Sequence, residues 1–358
     1  MSSSDVYIHN LKPFAIQFTE TFGIRWYGLS YLAGFIAGGL IMYWLAKRGK
    51  TPLPKEKVAD YITVLAIGTM IGGRLGYCIF YAPELFTKWT SEFPYWGVLE
   101  VHKGGMASHG GIIGVILASM YYANKLKIPK LHMLDLTVFG GSLGIFFGRI
   151  ANFINGELYG RAVKSHIPWA VKFPQELYRW AAESPDKLKK LGPVIEAIGP
   201  VHLQDGRTLH PSVETWKEWV STFPTQDRVY VYIDKIIQAV QQGNQKVIEK
   251  LAPLLTVRHP SQIYQALMEG LLVFLLLVWI WRKPRKPGVI AACFGIFYAI
   301  ARIIGEQFRM PDVQIGYQIF GLTRGQILSI VMLIAVLIFF IYVEKRDAKP
   351  MGGWGDST

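Results

Sequence analysis

The sequence predicts an all-α polytopic membrane protein of about seven transmembrane helices, with a mixed α/β head inserted between the fourth and the fifth. Three observations predict it. The 358-residue chain is 51% hydrophobic and only 18% charged, where soluble domains carry about 25% charged residues. Its apolar runs approach the roughly 20 residues that cross a hydrocarbon core. Its basic clusters fall in alternate connections, and one long polar insertion, residues 156–260, interrupts the series.

Taken in order, residues 1–24 form an arm whose opening "MSSSDVYIHN" has no basic n-region or small-residue cleavage site, so no removable signal peptide is read. Spans are predicted at 25–46, 58–81, 109–125, 134–153, 262–281, 287–306 and 323–343, the third being short. Residues 25–155 thus hold helices one to four, 156–260 the head, 261–343 helices five to seven, and 344–358 a tail. Lys47, Arg48, Lys50, Lys55 and Lys57, then Lys125, Lys127 and Lys130, then "RKPRK" (282–286) and "EKRDAK" (344–349) all fall on one side. The positive-inside rule makes that side cytoplasmic, so the N-terminus and head are expected in the periplasm and the C-terminus inside.

The connection 82–108 reads as an irregular outer segment. Within the head, "SVETWKEWVSTF" reads as a helix, "RVYVYI" as a strand and "DKIIQAVQQGNQKVIEKLAPLL" as a long amphipathic helix. "LQDGRTL" reads as a hairpin, because Asp-Gly accepts the positive φ angles of a tight turn. The net charge of +13 follows from the basic cytoplasmic loops and favours anionic lipid headgroups. No basic soluble domain suggests a nucleic-acid partner. Cys78 and Cys293 sit in apolar spans and read as small buried hydrophobes. No Cys/His cluster suggests a metal, and no cofactor is expected.

Polar residues inside the spans share one depth. Tyr27 and Tyr31 open span one, Arg74, Tyr77 and Tyr81 close span two, and His109 starts span three. Arg149, Asn152 and Asn155 end span four, and Glu269 lies two turns into span five. Tyr298, Arg302 and Glu306 end span six with Arg309 just beyond, and Gln326 opens span seven. All fall in the outer half of the bilayer. Tyr298, Arg302, Glu306 and Arg309 follow a helical spacing that makes one stripe. Gly140, Gly144 and Gly148 make a small face suited to close helix approach. Each residue also has a plainer reading. Arg74 and Arg309 suit interfacial anchors whose charge reaches water, and Arg302 with Glu306 suits a structural ion pair. Asn152 and Asn155 suit helix caps, His109 a loop hydrogen bond, and the tyrosines an aromatic belt. Together, arginines converging at one depth beside apolar walls fit a phospholipid phosphate, which guanidinium binds in a bidentate fork.

The motifs "RWYGLSYL", "GGRLGYCIFY", "GGMASHGGIIG", "GRIANFINGELYGR", "RHPSQIYQALMEG", "FGIFYAIARIIGEQFRMPD" and "GQILSI" occur in this order. In them the chain resembles the prolipoprotein diacylglyceryl transferases of bacterial inner membranes. Residues 175–257 look longer than that family usually carries between two of these motifs. The resemblance implies transfer of the diacylglyceryl group of phosphatidylglycerol to the lipobox cysteine thiol of a preprolipoprotein, forming a thioether and releasing glycerol phosphate. It assigns phosphate binding to Arg149 and Arg302 and proton transfer to His109. Tyr27, Asn152, Glu157, Gly160, Tyr298, Glu306 and Arg309 are expected to bind or position the headgroup. Two rival classes are a transporter, which needs a polar path to the cytoplasm, and a non-catalytic binder of anionic lipid, which has no use for His109.

Overall fold

The computed structural model describes residues 6–19, 23–101, 104–164, 167–203, 205–222, 227–311 and 316–355. Short strands β1 (Tyr7–Ile8), β2 (Phe14–Gln17) and β3 (Gly23–Arg25) precede α1 (Trp26–Lys47), α2 (Val58–Phe80), α3 (Ser108–Leu126) and α4 (Lys130–Asn155). The inserted region holds β4 (Val171–Lys172), α5 (Glu176–Glu183), α6 (Gly192–Ile198), β5 (Val201–His202), β6 (Thr208–Leu209), α7 (Val213–Ser221), α8 (Asp227–Gln241), α9 (Gln245–Leu251) and β7 (Val257–Arg258). Then α10 (Ser261–Gln265) runs through a π-helical segment, Ala266–Leu272, into α11 (Val273–Ile280), followed by α12 (Val289–Gly305) and α13 (Arg324–Lys345).

Each span expected from the sequence falls on a helix. Among the described residues, five helices are long and apolar enough to cross a membrane: α1, α2 with its preceding turn, α4, Ser261–Ile280 and α13. The α12 helix is apolar but shorter.

The described residues divide into two compact units. One contains Tyr31–Phe147, Glu269–Ile300 and the chain after Val331, and it is held by helix packing. Its small residues let backbones touch. A Cβ on Gly34 would lie 2.8 Å from Gly144 Cα, and one on Gly38 2.8 Å from Gly140 Cα. Two of the three glycines on the small face of α4 therefore do pack on α1. A Cβ on Gly148 meets nothing within 4 Å. Tyr61, fully buried, shares 2.6 Å hydrogen bonds with Ser119 and Thr137 and so ties α2 to α3 and α4. The Asp135 carboxylate accepts from Gly288 N and Ala291 N and caps the start of α12. Cys78 and Cys293 are free and buried, as expected of small hydrophobes.

The other unit contains the chain up to Ser30, Gly148–Met268 and Ala301–Ile330. Its three-stranded sheet has the order β1-β4-β7, with β1 parallel and β7 antiparallel to β4, and β2 pairs antiparallel with β3 in a separate two-stranded sheet. Helices α5 to α9 bury Trp180, Trp216, Tyr232, Ile233, Ile236 and Val240 in a core of their own. The expected hairpin is present: β5 pairs antiparallel with β6, and Gly206 has φ +83°. The expected helix over "SVETWKEWVSTF" is α7, capped by Ser212, which accepts from Thr215 N at 3.1 Å. Two expectations fail. "RVYVYI" is not a strand but the first half of α8. Its alternating β-branched and aromatic residues imitate period two. Continued downstream, Val229, Tyr232, Ile233, Ile236 and Val240 recur at helical spacing, and burial of that face decides. The long amphipathic helix is likewise two helices, parted at Gly243 and restarted by Asn244, whose side chain accepts from Val247 N.

Candidate functional site

The second unit brings most of the sequence-predicted site residues together. Its centre is Glu306, 3% exposed, just past the end of α12. Arg302, one turn earlier, reaches Glu306 Oε1 at 2.6 Å, and Arg309 donates to the same oxygen at 3.1 Å. Thr323 Oγ1 donates to the other oxygen, Oε2, at 2.9 Å. The sequence reading missed Thr323, although a signal was there. "TRGQ" before an apolar run is a capping box. Thr323 N donates to Gln326 Oε1 at 2.9 Å, and Gln326 N donates to Thr323 Oγ1 at 3.2 Å. One hydroxyl therefore starts α13 and holds Glu306. Gly325 keeps the approach open, since a Cβ there would lie 2.9 Å from Glu306 Cδ.

A second group lies at the end of α4. Asn152 Nδ2 donates to the Tyr27 hydroxyl and, at 2.9 Å, to Glu157 Oε1. Glu157 N closes the helix end on Asn152 O at 3.2 Å. Desolvation of the Glu157 carboxyl raises its pKa, while the charge of Arg309 pulls it the other way, although the residue as a whole is exposed. Arg149 stands one turn before Asn152 on α4 and is partly buried.

Backbone hydrogen bonds hold the chain around Arg309 to residues 159–161 and these in turn to His259. Gly160 N donates to His259 O at 3.0 Å, Arg161 N to Phe308 O at 2.8 Å, and Met310 N to Tyr159 O at 3.2 Å. Arg161 Nε adds a bond to Arg309 O at 3.0 Å. Position 160 must be glycine for this, because a Cβ would come within 2.3 Å of His259 O and 2.8 Å of Phe308 O. Beside it Arg258 Nε meets Glu176 Oε2 at 2.6 Å, and Thr256 N donates to Glu176 Oε1 at 2.7 Å.

His109 and Tyr298 belong to the other unit. His109 is exposed in the first turn of α3, and Tyr298 stacks on Phe294 at 6.0 Å. Arg74, for which an interfacial anchor was one reading, is instead 6% exposed and gives its guanidinium to four carbonyls. It donates to Val98 and Gly97 at 2.7 Å, Gly104 at 2.7 Å and Gly105 at 3.0 Å. With Ala107 N bonded to Gly73 O at 2.9 Å, Arg74 shapes the loop that leads into His109. Among the described residues no group of three His, Cys, Asp or Glu side chains could hold a metal.

Comparison with known proteins agrees on one family. The family model described as prolipoprotein diacylglyceryl transferase matches residues 13–342. A phosphatidylglycerol–prolipoprotein diacylglyceryl transferase of Bdellovibrio bacteriovorus is 49% identical over 351 residues, 97% of this chain and 97% of its own length. Proteins of the same name from Bradyrhizobium diazoefficiens and Rhodospirillum rubrum are each 33% identical, over 94% and 92% of this chain and 93% and 91% of their own. The near-complete match to the Bdellovibrio protein means that residues 175–257 have a counterpart of similar length there.

Proposed function

The chain belongs to the prolipoprotein diacylglyceryl transferase family, and on that premise we propose that it transfers the diacylglyceryl group of phosphatidylglycerol to the lipobox cysteine of preprolipoproteins. The new bond joins the cysteine sulfur to the glyceryl carbon. The bond that breaks joins that carbon to a phosphate oxygen, and glycerol phosphate leaves. The observation that carries this reading is the Glu306 cluster. Two guanidinium groups converge on one oxygen of a buried carboxylate, which fixes their donors side by side in an arrangement suited to a phosphodiester.

In this reading Arg149 and Arg302 stabilise the charge that develops on the leaving phosphate. Arg309 and Glu306 fix the direction of Arg302. Tyr27, Asn152, Glu157, Gly160 and Tyr298 position the headgroup. His109 takes the thiol proton, since a free thiol, with a pKa of about 8.5, is mostly protonated at neutral pH. The seven helices cross the bacterial inner membrane with the N-terminus and the head, 156–260, in the periplasm and the tail, 344–358, in the cytoplasm. Arm, two helical blocks, head and tail then follow the boundaries expected from the sequence.

Purified protein in nanodiscs containing phosphatidylglycerol, mixed with a lipobox peptide and followed by mass spectrometry, tests the proposal. The expected product is the peptide heavier by one diacylglyceryl group, absent with Arg149→Ala and with a Cys→Ser peptide. No product from folded protein would overturn the reading.

A further inference from the structure

Helix α10 buries amide atoms that the described residues leave unmatched. Ser261, Gln262 and Gln265 are each 0% exposed. Ser261 Oγ donates to Leu158 O at 3.0 Å, and Gln262 Nε2 donates to Glu157 O at 2.6 Å. Gln262 Oε1 and both amide atoms of Gln265 have no hydrogen-bond partner among the described residues. Buried polar atoms left so carry the full penalty of lost hydration, and native structures hold few of them. Three within one helical turn need an explanation. The two side chains lie three residues apart, on one face of α10.

That face lies against the end of α4. Gln262 touches Glu157 beyond the end of α4, and further along a Cβ on Gly270 would come within 2.6 Å of Phe146 Cα. Numbers rise along one segment as they fall along the other, so the two run antiparallel. Between these contacts, Gln265 comes opposite the turn of α4 that carries Asn152, itself bonded to Tyr27 and Glu157. The π-helical segment begins at the next residue, Ala266, and such segments recur at functional sites.

We propose that Gln265, assisted by Gln262, binds the hydroxyl groups of the headgroup's terminal glycerol and so selects phosphatidylglycerol from other phospholipids. The assignment rests on the proposed function. It follows from what an amide can pair with. A carboxamide offers a donor and an acceptor together, and a hydroxyl answers both. A phosphate oxygen only accepts and an ammonium only donates, so neither satisfies Gln265. A vicinal diol carries two hydroxyls, one for the Gln265 amide and one to donate to Gln262 Oε1. The arginines supply no such choice, because every phosphodiester lipid presents the same anion.

The test compares initial rates of lipobox-peptide modification in nanodiscs of phosphatidylglycerol and of phosphatidylpropanol, which keeps the phosphodiester and lacks the hydroxyls. Wild-type protein is expected to favour phosphatidylglycerol by about tenfold or more, as sites built around a substrate hydroxyl do. Gln265→Leu, and in parallel the volume-matched Gln265→Met, should shrink that ratio by about tenfold. Equal wild-type rates on the two lipids would overturn the proposal. So would a ratio unchanged in a folded variant, whatever its absolute rate. Failure of folded wild-type protein to modify the peptide with either lipid would instead remove the transferase reading beneath it.

Discussion

Two buried arginine–carboxylate contacts in the same compact unit differ in stoichiometry. Between α5 and β7, one guanidinium group, that of Arg258, meets Glu176 at 2.6 Å, with side chains 8% and 0% exposed. The remaining capacity of Glu176 is met by Thr256 N, and the Tyr159 ring lies 4.9 Å beneath the guanidinium. At Glu306 two arginines share one carboxylate oxygen, with side chains 11%, 11% and 3% exposed. There one carboxylate oxygen holds two guanidinium groups side by side, an arrangement that presents paired donors to an arriving anion. The difference teaches that buried ion pairs of similar length serve different ends, and that the number of guanidinium groups gathered on one carboxylate separates them.

Removing an arginine from each contact should break the two in opposite ways. Arg302→Ala is expected to lower turnover by roughly 10²–10³-fold, the range found when one transition-state donor is lost. Arg302→Lys should restore only part of it, since a point charge lacks the bidentate fork. Arg258→Met should instead destabilise the protein by about 3–5 kcal/mol, because it strands a buried carboxylate. Glu176→Leu added to it should recover much of that loss. Thermal unfolding and lipobox-peptide turnover, measured on all four variants, read both axes. If Arg302→Ala lowers stability as far as Arg258→Met does, and turnover merely follows the folded fraction, the distinction collapses.

How far the sequence reveals these contacts depends on chain distance. Arg302 and Glu306 are one helical turn apart, so their pairing is visible as spacing. Glu176 and Arg258 are 82 residues apart, and no local pattern joins them. Arg74 is harder still, because its partners are backbone carbonyls that any loop residue supplies. The helices were legible because an apolar run of membrane length has few alternatives. The region inserted between α4 and α10 was less so. In α8, period two and the helical period compete over six residues, and only the buried face of the whole helix separates them. The Gln265 amide gives no signal at all in a sequence, since its interest lies in what it does not touch.

A smaller effect should come from His9, which packs near the Arg258–Glu176 pair. It is fully buried between Phe153 and Phe173, and Phe173 O in turn accepts from Glu176 N at 3.0 Å. Burial lowers its pKa from 6.5 to about 4. The folded state therefore resists protonation that the unfolded chain accepts. Stability is unaffected above pH 6.5 and falls as the pH drops from there towards 4. At pH 5 the loss is about 2 kcal/mol by linkage. Denaturation at pH 7 and pH 5 should show it in the wild type and not in His9→Phe. An equal acid loss in the variant would move the cause to another group.

The smallest change sharpens the comparison from the Glu306 side. Thr323→Val keeps the shape of the side chain but removes the hydroxyl that caps α13 and donates to Glu306 Oε2. Loss of a helix cap costs about 1 kcal/mol, and both arginine contacts to Oε1 remain. The expected outcome is a loss of stability near that value with turnover lowered only a few-fold, because the carboxylate keeps its charge and loses only one of three tethers. Turnover lowered as far as in Arg302→Ala would mean that the orientation of the carboxylate, more than the positive charge around it, decides whether the anion is held.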